Sequence, residues 1–534
     1  MSSDGEKLSP LSADVIVIGG GVAGLSAALH LAERSLQPLV LEADPRFYGG
    51  RLAGGEEIEL NGWRFRAEHG VHGIWSPYRN LQAMLARHAI RPVLVPAQEE
   101  SWAYQRDLKT KMAAVGSAIR NSRVPAPFHY LNLFLRPRFW AVAGSEGWMS
   151  VFLVWHGLLY AMAVDPLAEN QPLEGMWLKD LVRYWPPKVR AFLIGLARNG
   201  MAARPEEVPL SGFIAFLRFY TLLRRDAWHF GYLPADGGTS VIEPLVRRLT
   251  ELGGQAALGR RVTRLEQVSQ EDGEEGGWRV YGRTAGNETG AQETEACITA
   301  RQVILATDAS NAKAILQASP TLDTDTLYFP RSMETAVARF WFDRPPRRSP
   351  EAGIFSGEFV VDNFFWLHEL QDSYRRWHKA TGGSALEVHI YGPPEMLAVQ
   401  DAVLLAYANR DVLTAFPELR GHLLHQVLQR NPPSHTLFGV GAVDRHLGIR
   451  TPWPGLFCCG DWVRHPSPAF FLERACVTGI EAANAVLQAH ELQPWALLDY
   501  LPPELLAGWI ERVMRRGRKL LSKQRRGKGE TPSI

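Results

Sequence analysis

The sequence predicts an α/β fold, because glycine-rich turns between apolar strands and helices occur near both ends of the chain. Near the start, the apolar residues 15–18 lead into glycines and a helix-forming stretch, and a second apolar run, residues 38–41, ends on Glu42. Near the other end, an apolar run meets Gly460 and Asp461 and is followed by another helix-forming stretch. We therefore expect a Rossmann-like domain assembled from distant parts of the chain.

The opening β-α-β unit has the glycine spacing of a dinucleotide-binding turn. Gly19 permits the tight turn, Gly21 lets the backbone approach a pyrophosphate, and Gly24 lets the helix pack closely on the strand. The helix N-terminus offers free N–H groups to the phosphates. Glu42 follows about 20 residues later, where a carboxylate accepts hydrogen bonds from a ribose. The unit predicts a bound dinucleotide, and the alternative is a glycine turn that binds nothing.

Length and composition indicate a globular protein. The chain has 534 residues, of which 21% are charged and 46% are apolar, which allows two or more domains. Its four cysteines show neither a disulfide framework nor metal-ligand spacing, so we expect a reducing compartment and no metal site. The first residues do not resemble a signal peptide, which favours a cytoplasmic location.

The net charge of +2 conceals a strongly basic C-terminal segment. Residues 511–528 contain nine lysines or arginines and one glutamate, with apolar residues between them. This pattern predicts a basic amphipathic helix that makes peripheral contact with a membrane, and the alternative is a solvated, frayed tail. Because the bases are confined to one end, we do not expect nucleic-acid binding.

One internal segment needs separate interpretation. Residues 147–164 form an 18-residue run without charge, which meets the length threshold for a transmembrane helix. The run is barely long enough, contains His156, and lies in the middle of a nucleotide-binding fold. A buried helix or a helix that dips into a membrane fits better than a membrane span.

The order of patterns along the chain predicts two domains that interleave in sequence. Residues 91–230 are interpreted as mostly helical. Predicted helices cover 78–88, 240–252 and 399–416, with another beginning near Phe471; predicted strands cover 260–266, 277–281, 301–306, 336–342 and 387–391. The predicted division is a nucleotide-binding domain from 10–90, 231–330 and 436–490, a substrate domain of mixed sheet and helices from 91–230 and 331–435, and a basic tail from 491–534.

Several separated segments together resemble the flavin amine oxidase and carotenoid (phytoene) desaturase superfamily. They are the opening unit, Gly49-Gly50-Arg51, Val262 on a predicted strand, residues 305–307, residues 455–462 around Gly460-Asp461, and residues 473–484. The resemblance implies FAD as cofactor, with Gly50 and Arg51 in a segment that reaches it. The residues that it assigns to the cofactor are Gly19, Gly21, Gly24, Glu42, Gly50, Arg51, Val262, Gly460 and Asp461.

Residues 68–73 and the helix motif at 473–484 are most similar to carotene desaturases, including desaturase/methylase enzymes that make aromatic carotenoid rings. This likeness implies a long apolar substrate reached from lipid, and the apolar run 127–164 and the basic tail suit that demand. The electron acceptor, a quinone or O₂, stays open. The other readings are an amine or porphyrinogen oxidase on the same fold, and a flavin-binding subunit without turnover.

Two histidines are the catalytic candidates. His69 and His72 lie beside Gly70 and Gly73, on a loop that by resemblance approaches the flavin. Either could take or deliver a proton, because histidine titrates near neutral pH; the alternative is a structural role. Further along the chain, Glu473 could stabilise the N-terminus of its own helix or touch the substrate.

Overall fold

The computed structural model describes residues 13–107, 109–144, 147–169, 173–268, 276–284, 294–347 and 350–527. Within these ranges the strands are β1 Val15–Ile18, β2 Pro38–Leu41, β3 Glu56–Leu60, β4 Trp63–Ala67, β5 Gly73–Trp75, β6 Val95–Pro96, β7 Glu100–Arg106, β8 Lys109–Ala114, β9 Phe230–Tyr232, β10 Gln255–Ala257, β11 Arg260–Val268, β12 Gly277–Thr284, β13 Thr294–Ala300, β14 Gln302–Leu305, β15 Ser332–Phe342, β16 Ala352–Gly357, β17 Asn363–Trp366, β18 Ser384–Ile390, β19 Leu423–Thr436 and β20 Leu456–Cys458.

The α-helices of the same ranges are α1 Val22–Ala32, α2 Arg79–Arg87, α3 Gly116–Arg120, α4 Leu131–Phe134, α5 Pro137–Ala143, α6 Gly147–Ala163, α7 Leu178–Val182, α8 Pro187–Met201, α9 Leu210–Leu217, α10 Glu243–Glu251, α11 Ala309–Gln317, α12 Leu367–Leu370, α13 Asp372–Thr381, α14 Pro394–Leu397, α15 Asp401–Ala415, α16 Phe471–Ala489 and α17 Leu505–Gly527.

A parallel five-stranded sheet brings the two ends of the chain together. Its order is β10-β2-β1-β14-β20, so that strands from residues 15–41 lie beside strands from residues 302–305 and 456–458. Successive side chains of β1 point to opposite faces. Val15 and Val17 pack in the cluster that contains α1 and α16, whereas Ile16 and Ile18 pack against β11 and β12. The sheet is therefore buried on both faces, as its near-continuous apolar strands predict.

A second, seven-stranded sheet has the order β19-β15-β18-β17-β16-β7-β8. It is antiparallel except where β7 pairs with β16. Its strands come from residues 100–114 and 332–436; the predicted substrate domain and its boundaries remain a proposal.

The expectation that residues 91–230 are mostly helical is wrong for residues 100–114. These residues form β7 and β8, and β7 adds to the large sheet by pairing Glu100 through Gln105 with Ala352 through Gly357. The error has a physical cause, because this strand is stabilised by a partner about 250 residues away, and local pattern reports only local preference.

The other predicted elements agree with the structure to within a few residues. The predicted helix 78–88 is α2, 240–252 ends as α10 after a π-helical turn at Gly238–Ile242, and 399–416 is α15. The five predicted strands are β11, β12, β14, β15 and β18.

Helices α6 and α17 pack against each other. The predicted uncharged run 147–164 is α6, whose C-terminal residues 161–163 are buried, while Phe152 is 80% exposed. In the part of the chain that the structure describes, no helix has both the length and the apolar character needed to span a bilayer.

Candidate active site

A cavity of roughly 1520 Å³ opens along the carboxyl ends of the parallel strands. Residues just after β1, β2, β14 and β20 line it, including Gly19, Glu42, Thr307 and Asp461. Ligands of open parallel sheets bind at this edge. The volume exceeds the ~300–1000 Å³ of ordinary small-molecule sites, so the cavity can hold both a dinucleotide and an extended substrate.

The structure brings eight of the nine predicted cofactor residues to this cavity. They are Gly19, Gly21, Glu42, Gly50, Arg51, Val262, Gly460 and Asp461. Gly24 is not part of the lining and lies in α1, where its role is close packing of the helix. The contact of each residue with a cofactor remains a prediction.

Three glycines in the first turn have different constraints. Gly19 has φ +110°, and a Cβ there would lie 2.8 Å from the carbonyl oxygen of Ala306. A Cβ on Gly24 would lie 2.0 Å from the Gly19 oxygen, so any side chain would push α1 away from β1. A Cβ on Gly21 would meet only the Gly49 oxygen at 3.8 Å. Gly21 therefore faces open space, which leaves room for a pyrophosphate.

The start of α1 suits an anion. Among the described residues no side chain caps its N-terminus, and Val22 and Ala23 of its first turn line the cavity, where free N–H groups of a helix start can bind an anion. Glu42 fixes the turn beside it, because its carboxylate accepts hydrogen bonds from Gly20 N at 2.8 Å and from Asp44 N at 2.9 Å. Burial raises the pKa of Glu42.

Arg51 and Asp461 join the two ends of the chain directly. The guanidinium Nη2 lies 2.5 Å from a carboxylate oxygen of Asp461, and the Asp461 side chain is only 9% exposed. Gly460 has φ +139°, and its N–H donates to the Thr478 hydroxyl of α16 at 3.0 Å. This arrangement places a cation, an anion and a fixed turn on one wall of the cavity.

Comparison with known proteins agrees with this geometry. The profile of the flavin containing amine oxidoreductase family matches residues 22–487. The chain belongs to this family. A carotenoid phi-ring synthase from Streptomyces griseus is 26% identical over 491 residues, covering 89% of this chain and 87% of the relative. A 15-cis-phytoene desaturase from Solanum lycopersicum is 21% identical over 494 residues, covering 90% and 78%.

Solved structures show the same fold at low identity. Putrescine oxidase bound to putrescine has a TM-score of 0.61 at 15% identity, covering 90% of this chain and 99% of that chain. Cyclohexylamine oxidase from Brevibacterium oxydans has a TM-score of 0.60 at 15% identity with the same coverage. The predicted superfamily, the α/β fold and the FAD cofactor are thereby confirmed: this is an FAD-dependent oxidoreductase of the amine oxidase and carotenoid desaturase superfamily.

The loop at residues 68–73 reaches the cavity and is held from the large sheet. Arg339 of β15 donates to the Glu68 carbonyl at 2.5 Å, and Asn431 of β19 donates to the His69 carbonyl at 2.9 Å. Glu387 of β18 accepts from the Val71 N–H at 2.8 Å. The loop is therefore positioned by three strands of the other sheet.

Both predicted histidines line the cavity, but only one contacts a carboxylate. His69 is half-buried; its partial removal from water and the neighbouring His72 and Arg51 lower its pKa well below the usual value, so it is neutral near pH 7. His72 Nδ1 lies 3.5 Å from Glu68, whose own carboxylate accepts from Gln371 Nε2 at 2.6 Å. A catalytic role for either histidine remains a prediction.

Sequence reasoning did not find a polar group on β18. Glu387, His389 and Tyr391 follow one another on the same side of this strand and its end, and His389 and Tyr391 line the cavity. The signal was available in the alternation of polar and apolar residues from 387 to 391, but a strand pattern alone does not say which face meets a cavity.

Away from the parallel sheet, aromatic side chains dominate the cavity wall. Trp75 stacks on Phe230 with centroids 4.1 Å apart and makes edge contacts with Tyr220 and Trp228. Tyr232 continues this wall. Such surfaces suit a large apolar ligand. Among the described residues, no group of three or more His, Cys, Asp and Glu is arranged to hold a metal ion.

Glu473 stabilises a helix N-terminus, but not that of its own helix. Its buried carboxylate accepts from Asn80 N, Asn80 Nδ2 and Leu81 N, each at 2.9 Å, in the first turn of α2. Tyr500 OH donates to the same carboxylate at 2.9 Å. Protein donors therefore occupy this carboxylate, and Glu473 does not line the cavity. Burial raises its pKa.

Proposed function

We propose that this protein oxidises a long, apolar isoprenoid of the carotenoid type, introducing double bonds in the manner of a desaturase. The observation that carries the proposal is the group of aromatic side chains, including Trp75, Tyr220 and Phe230, that lines the same cavity as the predicted cofactor residues. Relatives that are named carotenoid phi-ring synthase and phytoene desaturase support it. When bound, FAD supplies a two-electron oxidation by accepting a hydride equivalent from carbon.

The protein's part in this reaction is orientation and exclusion of water. A hydrocarbon offers no polar group for strong recognition, so Trp75, Tyr220 and Phe230 would hold it by shape and dispersion. Loop 68–73, tied to the large sheet, would close the cavity beside the reacting carbon. The cofactor would lie against the turn at Gly21 and the Arg51–Asp461 pair.

An amine oxidase is the second candidate. The observation in its favour is the fold, which putrescine oxidase and cyclohexylamine oxidase share. At 15% identity this likeness shows a shared fold and does not indicate a shared substrate.

Anaerobic flavin bleaching separates these functions. We expect carotenes supplied in detergent micelles to bleach the flavin of the FAD-loaded protein, because they can pack against the aromatic side chains of the cavity. We expect putrescine and cyclohexylamine to leave the flavin spectrum unchanged. The measurement is the loss of flavin absorbance under argon. Bleaching by amines alone would replace the proposal with an amine oxidase, and bleaching by no class of reductant would favour a subunit without turnover.

We also propose that α17 binds a membrane surface. Leu505 is 94% exposed, Trp509 58% and Val513 47%, and their spacing of four residues aligns them on one face of the helix. Arg512 and Arg516 are exposed on the same helix. Apolar side chains that lie in water beside arginines are typical of helices that lie in the plane of an anionic bilayer.

The same helix is fixed to the wall of the cavity. Glu511 of α17 forms an ion pair with Arg218 at 2.5 Å, and Glu504 donates its N–H to the Leu223 carbonyl at 3.0 Å. The segment between these contacts, residues 218–223, contributes Tyr220 and Thr221 to the cavity. A membrane-bound α17 would therefore hold the substrate cavity close to the lipid in which carotenes dissolve.

Replacing the exposed apolar face with charge tests this contact. We expect Leu505→Glu, Trp509→Glu and Val513→Glu together to weaken binding to vesicles of phosphatidylcholine and phosphatidylglycerol at least about tenfold, because apolar burial is lost and acidic lipid repels the new charges. The measurement is co-sedimentation with the vesicles.

A matched control carries the same three charges elsewhere. Val93, Leu424 and Val443 are 83%, 50% and 61% exposed and lie outside α6 and α17. The triple glutamate variant at these positions should sediment like the wild type. Equal binding by the α17 variant and the wild type would refute the membrane surface.

A further inference from the structure

A chain of three hydrogen-bonded side chains runs from the protein interior to the cavity along β18. Glu387 Oε1 lies 2.7 Å from His389 Nε2, and His389 Nδ1 lies 2.7 Å from the hydroxyl of Tyr391. Glu387 is 1% exposed and His389 6% exposed. Tyr391 and His389 line the same cavity as Gly460 and Asp461.

The inner end of this chain is a fixed carboxylate. Burial opposes the ionisation of Glu387, but Arg339 at 2.7 Å and the contact with His389 more than compensate and lower the pKa of Glu387 to about 2. The Val71 N–H donates to the same oxygen that His389 contacts. Glu387 is therefore ionised at neutral pH and acts as a hydrogen-bond acceptor.

The carboxylate determines the direction of the other hydrogen bonds. Because Glu387 can only accept, Nε2 of His389 carries the hydrogen, and Nδ1 presents a lone pair to Tyr391. Asn363 Nδ2 donates to the Tyr391 oxygen at 3.1 Å, which leaves the hydroxyl hydrogen of Tyr391 for His389. These roles follow from the hydrogen-bond network. Carboxylate, imidazole and hydroxyl have the order of an acid–base–nucleophile triad, with tyrosine at the open end.

Binding a hydrocarbon does not require this group. A buried polar network in an apolar wall costs free energy unless every member is satisfied, and here it faces a ligand without polar atoms. His389 also contacts the predicted catalytic loop, since a Cβ on Gly70 would lie 2.9 Å from its Cε1. Among the described residues no carboxylate is paired with His69 of that loop, whereas Glu387 lies 2.7 Å from His389.

We propose that Tyr391 and His389, supported by Glu387, accept the proton that the substrate loses during oxidation. The proposal rests on the proposed function, in which the neighbouring carbon gives up a hydride to FAD. The C–H bond breaks, and its electron pair becomes the π bond of the new double bond. The proton adds to the Tyr391 oxygen while the tyrosine hydrogen moves to Nδ1 of His389. The resulting imidazolium is stabilised by the carboxylate of Glu387.

The first test removes the hydroxyl at the open end. We expect Tyr391→Phe to slow anaerobic flavin bleaching by carotenes about 10²- to 10⁴-fold, the usual contribution of a positioned proton acceptor. The substrate concentration at half-maximal bleaching should change less than about threefold, because the ring that packs against the hydrocarbon is retained. His389→Gln, which can hydrogen-bond but cannot take a proton near neutral pH, should show the same separation of rate from affinity.

Tyr374→Phe is the matched control. Tyr374 is also fully buried, its hydroxyl has no hydrogen-bond partner within the described ranges, and it does not line the cavity. This variant should bleach at the wild-type rate.

A second measurement does not depend on turnover. In the FAD-loaded chain labelled with ¹⁵N-histidine, we expect an Nε2–H resonance of His389 at low field that disappears in Glu387→Gln, and an Nδ1 shift in Tyr391→Phe.

The outcomes separate the two proposals. If carotenes bleach the wild type and Tyr391→Phe equally fast, or if the variant loses affinity but not rate, the proton relay is overturned and the proposed function stands. If carotenes fail to bleach the wild type, both are overturned. An Nδ1–H tautomer of His389 also contradicts the relay.

Discussion

Gly21→Val should give a folded protein that retains no FAD. A Cβ at position 21 would meet only the Gly49 oxygen, at 3.8 Å, so the protein itself has room for a side chain there. Valine would occupy the space in front of the α1 N-terminus, where the pyrophosphate must approach the backbone. The measurement is flavin absorbance per chain after purification and after incubation with excess FAD, with circular dichroism to verify the fold.

Gly24→Val is the informative comparison. A Cβ there would lie 2.0 Å from the Gly19 carbonyl oxygen, which is backbone and cannot move aside cheaply. This variant should lose stability as well as flavin, because α1 can no longer pack on β1. Full flavin retention by Gly21→Val would contradict the placement of the cofactor at this turn.

Glu473→Ala should lower the free energy of unfolding by about 3–5 kcal/mol, because it leaves several buried donors without an acceptor. The Asn80 and Leu81 N–H groups at the start of α2 and the hydroxyl of Tyr500 all donate to this carboxylate. The segment around Tyr500 precedes α17, so the loss should also loosen the attachment of the C-terminal helix. The measurement is urea unfolding at saturating FAD, which keeps the ligand contribution constant.

Glu481→Ala on the same helix is the control. Glu481 is half-buried rather than fully buried, and substitutions away from such hydrogen bonds usually change stability by less than about 0.5 kcal/mol. Equal unfolding midpoints for the two variants would mean that the α2 cap contributes nothing to stability.

The cofactor half of the fold is predictable because its signals are local. Gly19 needs glycine because of its own φ and the neighbouring backbone, Gly21 follows two residues later and leaves room for a pyrophosphate, and Glu42 directly follows its strand. Gly460 and Asp461 likewise follow an apolar strand directly. Local spacing and local chemistry therefore indicate the same site, and the comparisons confirm the family.

The rest depends on partners far away in sequence. Strand β7 forms because β16 pairs with it, and Glu473 is satisfied by α2 and not by its own helix. The functional interest of Glu387, His389 and Tyr391 follows from the cavity that His389 and Tyr391 line, and the sequence does not indicate this cavity. No periodicity or residue spacing in the sequence predicts these contacts, because each depends on tertiary packing.

We infer that the first and last thirds of the chain hold one FAD between them. Titration of the flavin-free chain with FAD, followed by flavin fluorescence, tests this directly. We expect saturation at one FAD per chain for the wild type, and loss of binding when either Gly21 becomes valine or Asp461 becomes alanine. A native chain that stays colourless after reconstitution, or FAD binding that survives both substitutions, would contradict this placement of the cofactor.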